Sequence, residues 1–128
     1  MSQTRYDGFL PGSFVIEGYG AGGFRFADMS HRGSILALPS GVHAWAPLSP
    51  QEITPASLSA LLAEPAGAVE LLLIGTGREL VPASMELRAA LRAAGIRVDS
   101  MGTGAAISTY NILLGERRRV AAALLATP

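Results

Sequence analysis

The chain has 128 residues, 49% of them hydrophobic, and its ten acidic residues are balanced by ten basic ones. That length suits one domain with a real core, and the zero net charge excludes a general affinity for nucleic acid or anionic membrane. Cysteine is absent, which excludes disulfides, thiolate metal sites and cysteine nucleophiles, and every basic residue is arginine.

The start, "MSQTRYDGFLPGSF", is polar, aromatic and turn-rich, with no secretory apolar core. No segment reaches the roughly 18 to 20 unbroken apolar residues of a membrane span. The expectation is therefore a cytoplasmic protein without a membrane span. Neither a repeat of fixed period nor a low-complexity tract divides it.

In the first half the pattern predicts short strands at 13–17, 24–27, 34–38 and 42–46, with "LPSG" at 38–41 as a turn, together forming an antiparallel meander. Gly18, Gly20 and Gly23 have the G-x-G-x-x-G spacing of a dinucleotide site. Such a site needs a helix after the last glycine, so that its free N–H groups hold the pyrophosphate. The residues after Gly23, "FRFADMSHRGSILALP", have strand and turn grammar, so the glycines are expected to shape a link between strands.

In "SPQEITPASLSALLAE", Thr54 caps a helix with Pro55 at its first position and Leu58, Leu61 and Leu62 inward. The unbroken apolar run "AVELLLIGTG", 68–77, predicts a central strand covered on both faces. Next is a helix over 82–95, with Ser84 as cap, Leu87, Leu91 and Ala94 inward, Arg88 and Arg92 outward, and Gly95 as its stop. "IRVDSM" then closes a strand, helix, strand crossover, so its two strands should be parallel neighbours. A third helix over 102–116 is capped by Thr103 and ended at Gly115. For "RRRVAAALLA" the composition favours helix, whereas a compact apolar tail after a glycine also suits a buried strand.

Three blocks, "GYGAGGFRF" (18–26), "LLIGTGREL" (72–80) and "MGTGAAISTYNILLGERRRVAAALL" (101–125), resemble the domain family that includes mitochondrial complex I assembly factor three and the adipogenesis-associated protein of mammals. The resemblance runs from about Asp7 to Leu125, and the last block is its most specific part. It implies a three-layer α/β fold with a central mixed sheet and an additional small antiparallel β layer. It also implies that the tail is a strand inserted antiparallel to its neighbours. For function it implies a non-enzymatic binding or assembly-factor-like domain with a protein partner, such as subunits or assembly proteins of a respiratory membrane complex, and no cofactor. Relatives often carry cysteine near the third helix's start; this chain has "AAIST" at 105–109, so no thiol chemistry operates there.

The crossover strands end at "GTG" and "MGTG", and ligands in open α/β sheets settle beyond such strand ends. Gly75, Thr76, Gly77, Gly102, Thr103 and Gly104 would supply backbone N–H groups and two hydroxyls, and Arg78 a positive charge. The alternative function is thus a small-ligand enzyme or sensor holding a carboxylate or phosphate. Against it stands the ordinary use of glycine and threonine in turns and caps. Tyr110 and Asn111 are further candidates, with fold-locking hydrogen bonds as their plainer role. Glu116 to Arg119 reads as a solvated charge run. His31 and His43 neighbour no paired carboxylate or second metal ligand, and Asp99 beside Ser100 names no chemistry; no metal site is expected. Neither a nucleophile elbow nor a P-loop occurs. Trp45 is expected in the core, or, at an edge, in a partner patch with Phe9, Tyr6 or Phe14.

Overall fold

The computed structural model describes residues 8–128. Its strands are β1 (Phe9–Pro11), β2 (Gly18–Gly20), β3 (Gly23–Phe26), β4 (Met29–Arg32), β5 (Ser34–Leu38), β6 (Gly41–Trp45), β7 (Leu71–Gly75), β8 (Arg97–Met101) and β9 (Val120–Leu124). The helices are α1 (Ser59–Leu62), α2 (Met85–Ala93) and α3 (Thr103–Gly115). Six strands form a mixed sheet in the order β1-β6-β5-β9-β7-β8, and β2-β3-β4 form a separate antiparallel sheet. This is the three-layer fold that the resemblance implies.

The glycine-rich stretch is a hairpin. Ala21 and Gly22, with φ of 51° and 81°, make the two-residue turn between β2 and β3. Gly23 is obligatory for another reason: a Cβ there would strike the His31 carbonyl of β4. A second positive-φ pair, Ala27 and Asp28, turns β3 into β4. Phe24 and Phe26 point into the core, and Arg25 between them is exposed. The predicted single meander is therefore divided between two sheets, and "DMSHRG", between two predicted strands, contains β4. The predicted strand over 13–17 is irregular backbone, while Phe9–Pro11, beside a proline and unmarked by alternation, pairs with β6.

Each face of the large sheet has its own core. Leu36, Leu38, Trp45, Leu72 and Ile74 meet Leu58, Leu61, Leu87 and Leu91 from the α1 and α2 side. Ile35, Ala37, Leu73, Ala122 and Leu124 meet Phe24, Phe26, Ala106, Ile107 and Tyr110 from the small sheet and α3. Each buried Leu-sized side chain contributes about 1.5–3 kcal/mol. Leu62 and Ala94, expected inward, are exposed at the ends of α1 and α2. Thr54 Oγ1 accepts the Ser57 N–H at 3.2 Å, but the segment opens as a 3-10 turn over Ala56–Leu58 with Pro55, not Thr54, at its cap position. Ser84 caps α2 through the Leu87 N–H at 3.1 Å, and Gly95 (φ +77°) ends it.

Two helix ends differ from expectation. Gly102 is the N-cap of α3, and Thr103 is its first helical residue. At the other end the left-handed residue is Arg117 (φ 60°), not Gly115; the Arg118 N–H bonds the Leu113 carbonyl and the Arg117 N–H that of Leu114. The chain then enters β9, a wholly buried strand, so helix propensity is overridden by sheet burial. β9 runs antiparallel to β5 but parallel to β7, which corrects the expectation of antiparallel neighbours on both sides. β7 consequently stands one strand in from the edge, with β9 between it and β5.

Candidate functional site

The two glycine turns open side by side. β7 and β8 are parallel, with Gly75 opposite Met101. Past them the Thr76 N–H donates to the Met101 carbonyl (2.9 Å), and the Thr103 N–H donates to the Gly77 carbonyl (2.7 Å). Gly75 must be glycine, because a Cβ there would lie 2.9 Å from both Leu124 Cδ2 and Thr103 Cα.

The threonine hydroxyls tie these turns together instead of facing outward. Thr103 is fully buried; its Oγ1 accepts the Gly77 N–H at 2.9 Å and donates to the Leu125 carbonyl at 2.9 Å. Thr76 Oγ1 donates to the Glu79 carbonyl at 2.5 Å and accepts the Val81 N–H at 3.0 Å. What remains open is a cleft of about 520 Å³ lined by Gly77, Arg78, Gly102, Gly104, Ala105, Tyr19 and Thr127. Its floor is the first turn of α3, where helix N–H groups have no partner one turn earlier. Tyr19, half exposed on β2, lies over Gly104, whose missing Cβ makes room for the phenol. Sequence reasoning missed Tyr19 and Thr127, since only the placement of the small sheet against α3 brings Tyr19 here.

Tyr110 and Asn111 do not belong to this cleft. Tyr110 is 1% exposed within the core, and burial pushes its phenol up to about 12. Asn111 clamps the irregular segment before β2: its Nδ2 donates to the Ile16 carbonyl at 2.8 Å, and its Oδ1 accepts the Ile16 N–H at 2.9 Å. One side chain thus satisfies both backbone groups that a strand neighbour would have paired.

The remaining polar residues are scattered. His31 Nε2 lies 3.2 Å from the Ser34 carbonyl, and its pKa is lowered by burial. The His43 ring centre lies 4.6 Å from that of Phe9 with the two planes tilted by 51°; burial lowers its pKa, opposed by the charge of Glu64. Arg118 and Arg119 both bind Glu70, at 3.0 and 3.1 Å, so part of the charge run forms exposed ion pairs. No group of three or more His, Asp or Glu among the described residues is arranged to hold a metal ion. Trp45 is 7% exposed and donates its indole N–H to the Ser57 carbonyl at 2.8 Å, which makes it a core residue; Phe14 packs on the opposite core, so the two share no patch. Tyr6 lies outside the described residues.

Comparisons with known proteins agree with this fold. A crystal structure described as an outer membrane protein from Bartonella henselae is 49% identical, with a TM-score of 0.88 over 92% of this chain and 98% of that one. The solution structure of the Rpa2829 protein from Rhodopseudomonas palustris is 46% identical, with a TM-score of 0.82 over 100% of this chain and 94% of that one. The mouse NADH dehydrogenase [ubiquinone] 1 alpha subcomplex assembly factor 3 is 32% identical over 93% of this chain, which spans only 64% of that protein's length. The family described as "Protein of unknown function (DUF498/DUF598)" matches residues 16–125, and the chain belongs to it.

Proposed function

We propose that the chain acts as one protein-binding domain of the assembly-factor type, over about residues 7–125, helping a respiratory membrane complex come together without catalysing a reaction. The observation that carries this reading is the match to relatives named as assembly factors, over 93% of this chain in mouse and 91% in human. In such a domain the work is done by surface, and the buried threonine ties keep that surface rigid. Its expected place is the cytoplasm, and among the described residues no helix is long and apolar enough to cross a membrane. Affinity capture of the tagged chain should recover subunits or assembly proteins of a membrane complex. Recovery of the chain alone, with normal respiration in a deletion strain, would overturn the reading; fractionation into a salt-resistant membrane pool would overturn the location.

A second reading rests on the cleft. Gly102 and Gly104 line it without side chains beside Arg78, which suits a small carboxylate or phosphate and hence a sensor or small-ligand enzyme. Titration with phosphate, citrate and nucleotides should then move amide signals at 75–78 and 102–105, and Arg78→Ala should abolish the movement. Unmoved signals at millimolar ligand would remove this reading.

A further inference from the structure

The large sheet ends in β8, and no strand among the described residues pairs with its outer side. The Arg97 N–H donates to the Glu70 carbonyl at 2.9 Å, and the Met101 carbonyl accepts the Thr76 N–H. Residues 97, 99 and 101 therefore direct their backbone groups toward β7. By the alternation of a parallel ladder, the N–H and C=O groups of Val98 and Ser100 point away from the sheet.

Two hollows flank this edge. At its C-terminal end, Ile53, Ile74, Val81, Pro82, Leu87 and Ser100 line one of about 360 Å³. Gln51, Thr54, Thr76, Ser84 and Glu86 share the lining with these apolar side chains, and the neighbouring Leu80 and Met85 are 59% and 87% exposed. At its N-terminal end, Arg88, Arg92 and Arg97 line another of about 330 Å³, with Asp99 as the only acidic residue among its lining. The Arg88 and Arg92 side chains leave α2 on the same face of the sheet as the first hollow, four residues apart.

We infer that β8 is the docking edge for an extended acidic segment of a protein partner, which adds a strand to the sheet, seats an apolar side chain beside Ser100, and places carboxylates against Arg88 and Arg92. Charge selects this occupant. Three guanidinium groups against two carboxylates, Asp99 and the Glu86 that lines the other hollow, leave a net positive edge that favours an acidic chain, whereas a second copy of this protein would bring α2 arginines against α2 arginines. Main-chain bonds to Val98 and Ser100 give the segment its affinity, and the hollows give it its specificity. A strand rises about 3.3 Å per residue, so some five residues cover β8, and alternate ones face α2. This inference rests on the protein-binding reading and names the partner's chemistry.

The test uses the full chain, labelled for amide spectra, and two blocked peptides, Leu-Thr-Glu-Thr-Glu and its reverse, because either strand direction serves. Lysine replaces glutamate in the controls. One acidic peptide should shift the amides of 97–101 and slow exchange at Val98 and Ser100, and the lysine peptides should not. Arg88→Glu and Arg92→Glu, both at exposed positions, should each weaken binding roughly five-fold, with the rest of the spectrum showing the fold intact. Absence of shifts at 97–101 with both acidic peptides at millimolar concentration overturns the proposal. So does equal binding of the lysine forms, or a dimer in sedimentation that Arg97→Asp dissolves. These readouts need no membrane complex. Peptide binding alongside normal respiration in a deletion strain would therefore sink the assembly reading and leave the edge standing.

Discussion

Thr103 and Gly77 exchange two hydrogen bonds: the Thr103 N–H donates to the Gly77 carbonyl at 2.7 Å, and the Gly77 N–H donates to the Thr103 hydroxyl at 2.9 Å. The same hydroxyl donates to Leu125 at the end of β9. One buried side chain thus fastens three chain segments. Thr103→Val keeps the shape but strands a buried N–H and a buried carbonyl, which should cost about 2 kcal/mol. Urea denaturation measures this, and Thr103→Ser, which keeps the oxygen, should lose much less. Equal losses for the two variants would mean that packing, not the hydroxyl, matters.

Asn111 replaces a missing strand neighbour for Ile16. Asn111→Leu should destabilise by about 1–2 kcal/mol and speed hydrogen exchange at the Ile16 amide. Protection of 120–124 should stay high, since that strand is paired on both sides. Uniformly faster exchange through the sheet would show that the clamp is global.

Burial lowers the pKa of His43, so the folded state favours the neutral ring. Near and below the unfolded value of about 6.5, the unfolded chain binds the proton that the folded chain resists. Stability is therefore full above that pH and falls as the pH drops toward the lowered folded value. His31, also lowered by burial, acts in the same direction. His43→Gln should flatten part of the acid-side fall in urea midpoint. Parallel pH profiles for the variant and the parent would assign the fall to other groups.

Arg117 holds a left-handed conformation after α3, at φ 60°. A side chain there costs on the order of 1 kcal/mol, which glycine avoids. Its neighbours Arg118 and Arg119, not Arg117, make the ion pairs with Glu70. Arg117→Gly should raise the thermal midpoint by a few degrees, the scale set by ~1 kcal/mol in a small domain. An unchanged or lowered midpoint would show that the arginine is held by a compensating contact.

Local signals in the sequence were legible where chemistry is local. Ser84 marks a helix start through its own hydroxyl and Gly95 a helix end through its positive φ, and the unbroken run around Leu72 and Leu73 marks a strand buried on both faces. The neighbouring turns at Gly75 and Gly102 came from the parallel crossover. Long-range placement was not legible. Val120–Leu124 is rich in helix-forming alanine, and only burial between β5 and β7 makes it a strand. Tyr19 reads as a hairpin residue and enters the cleft only because its sheet docks on α3. The threonine hydroxyls were expected to face a ligand, yet both are used up by backbone partners three or more residues away.

The insertion of β9 between β5 and β7 has a consequence for how the molecule forms. Strands β1, β5 and β6 on one side and the pair β7 and β8 on the other have no ladder in common until β9 joins them. Closure of the sheet must wait for a segment made more than eighty residues after β5. Meanwhile β5 and β7 both present naked apolar borders, and such late, distant pairing is slow and open to aggregation. Chains halted on the ribosome before residue 120 should accordingly be strong clients of chaperones, and released full-length chains should not.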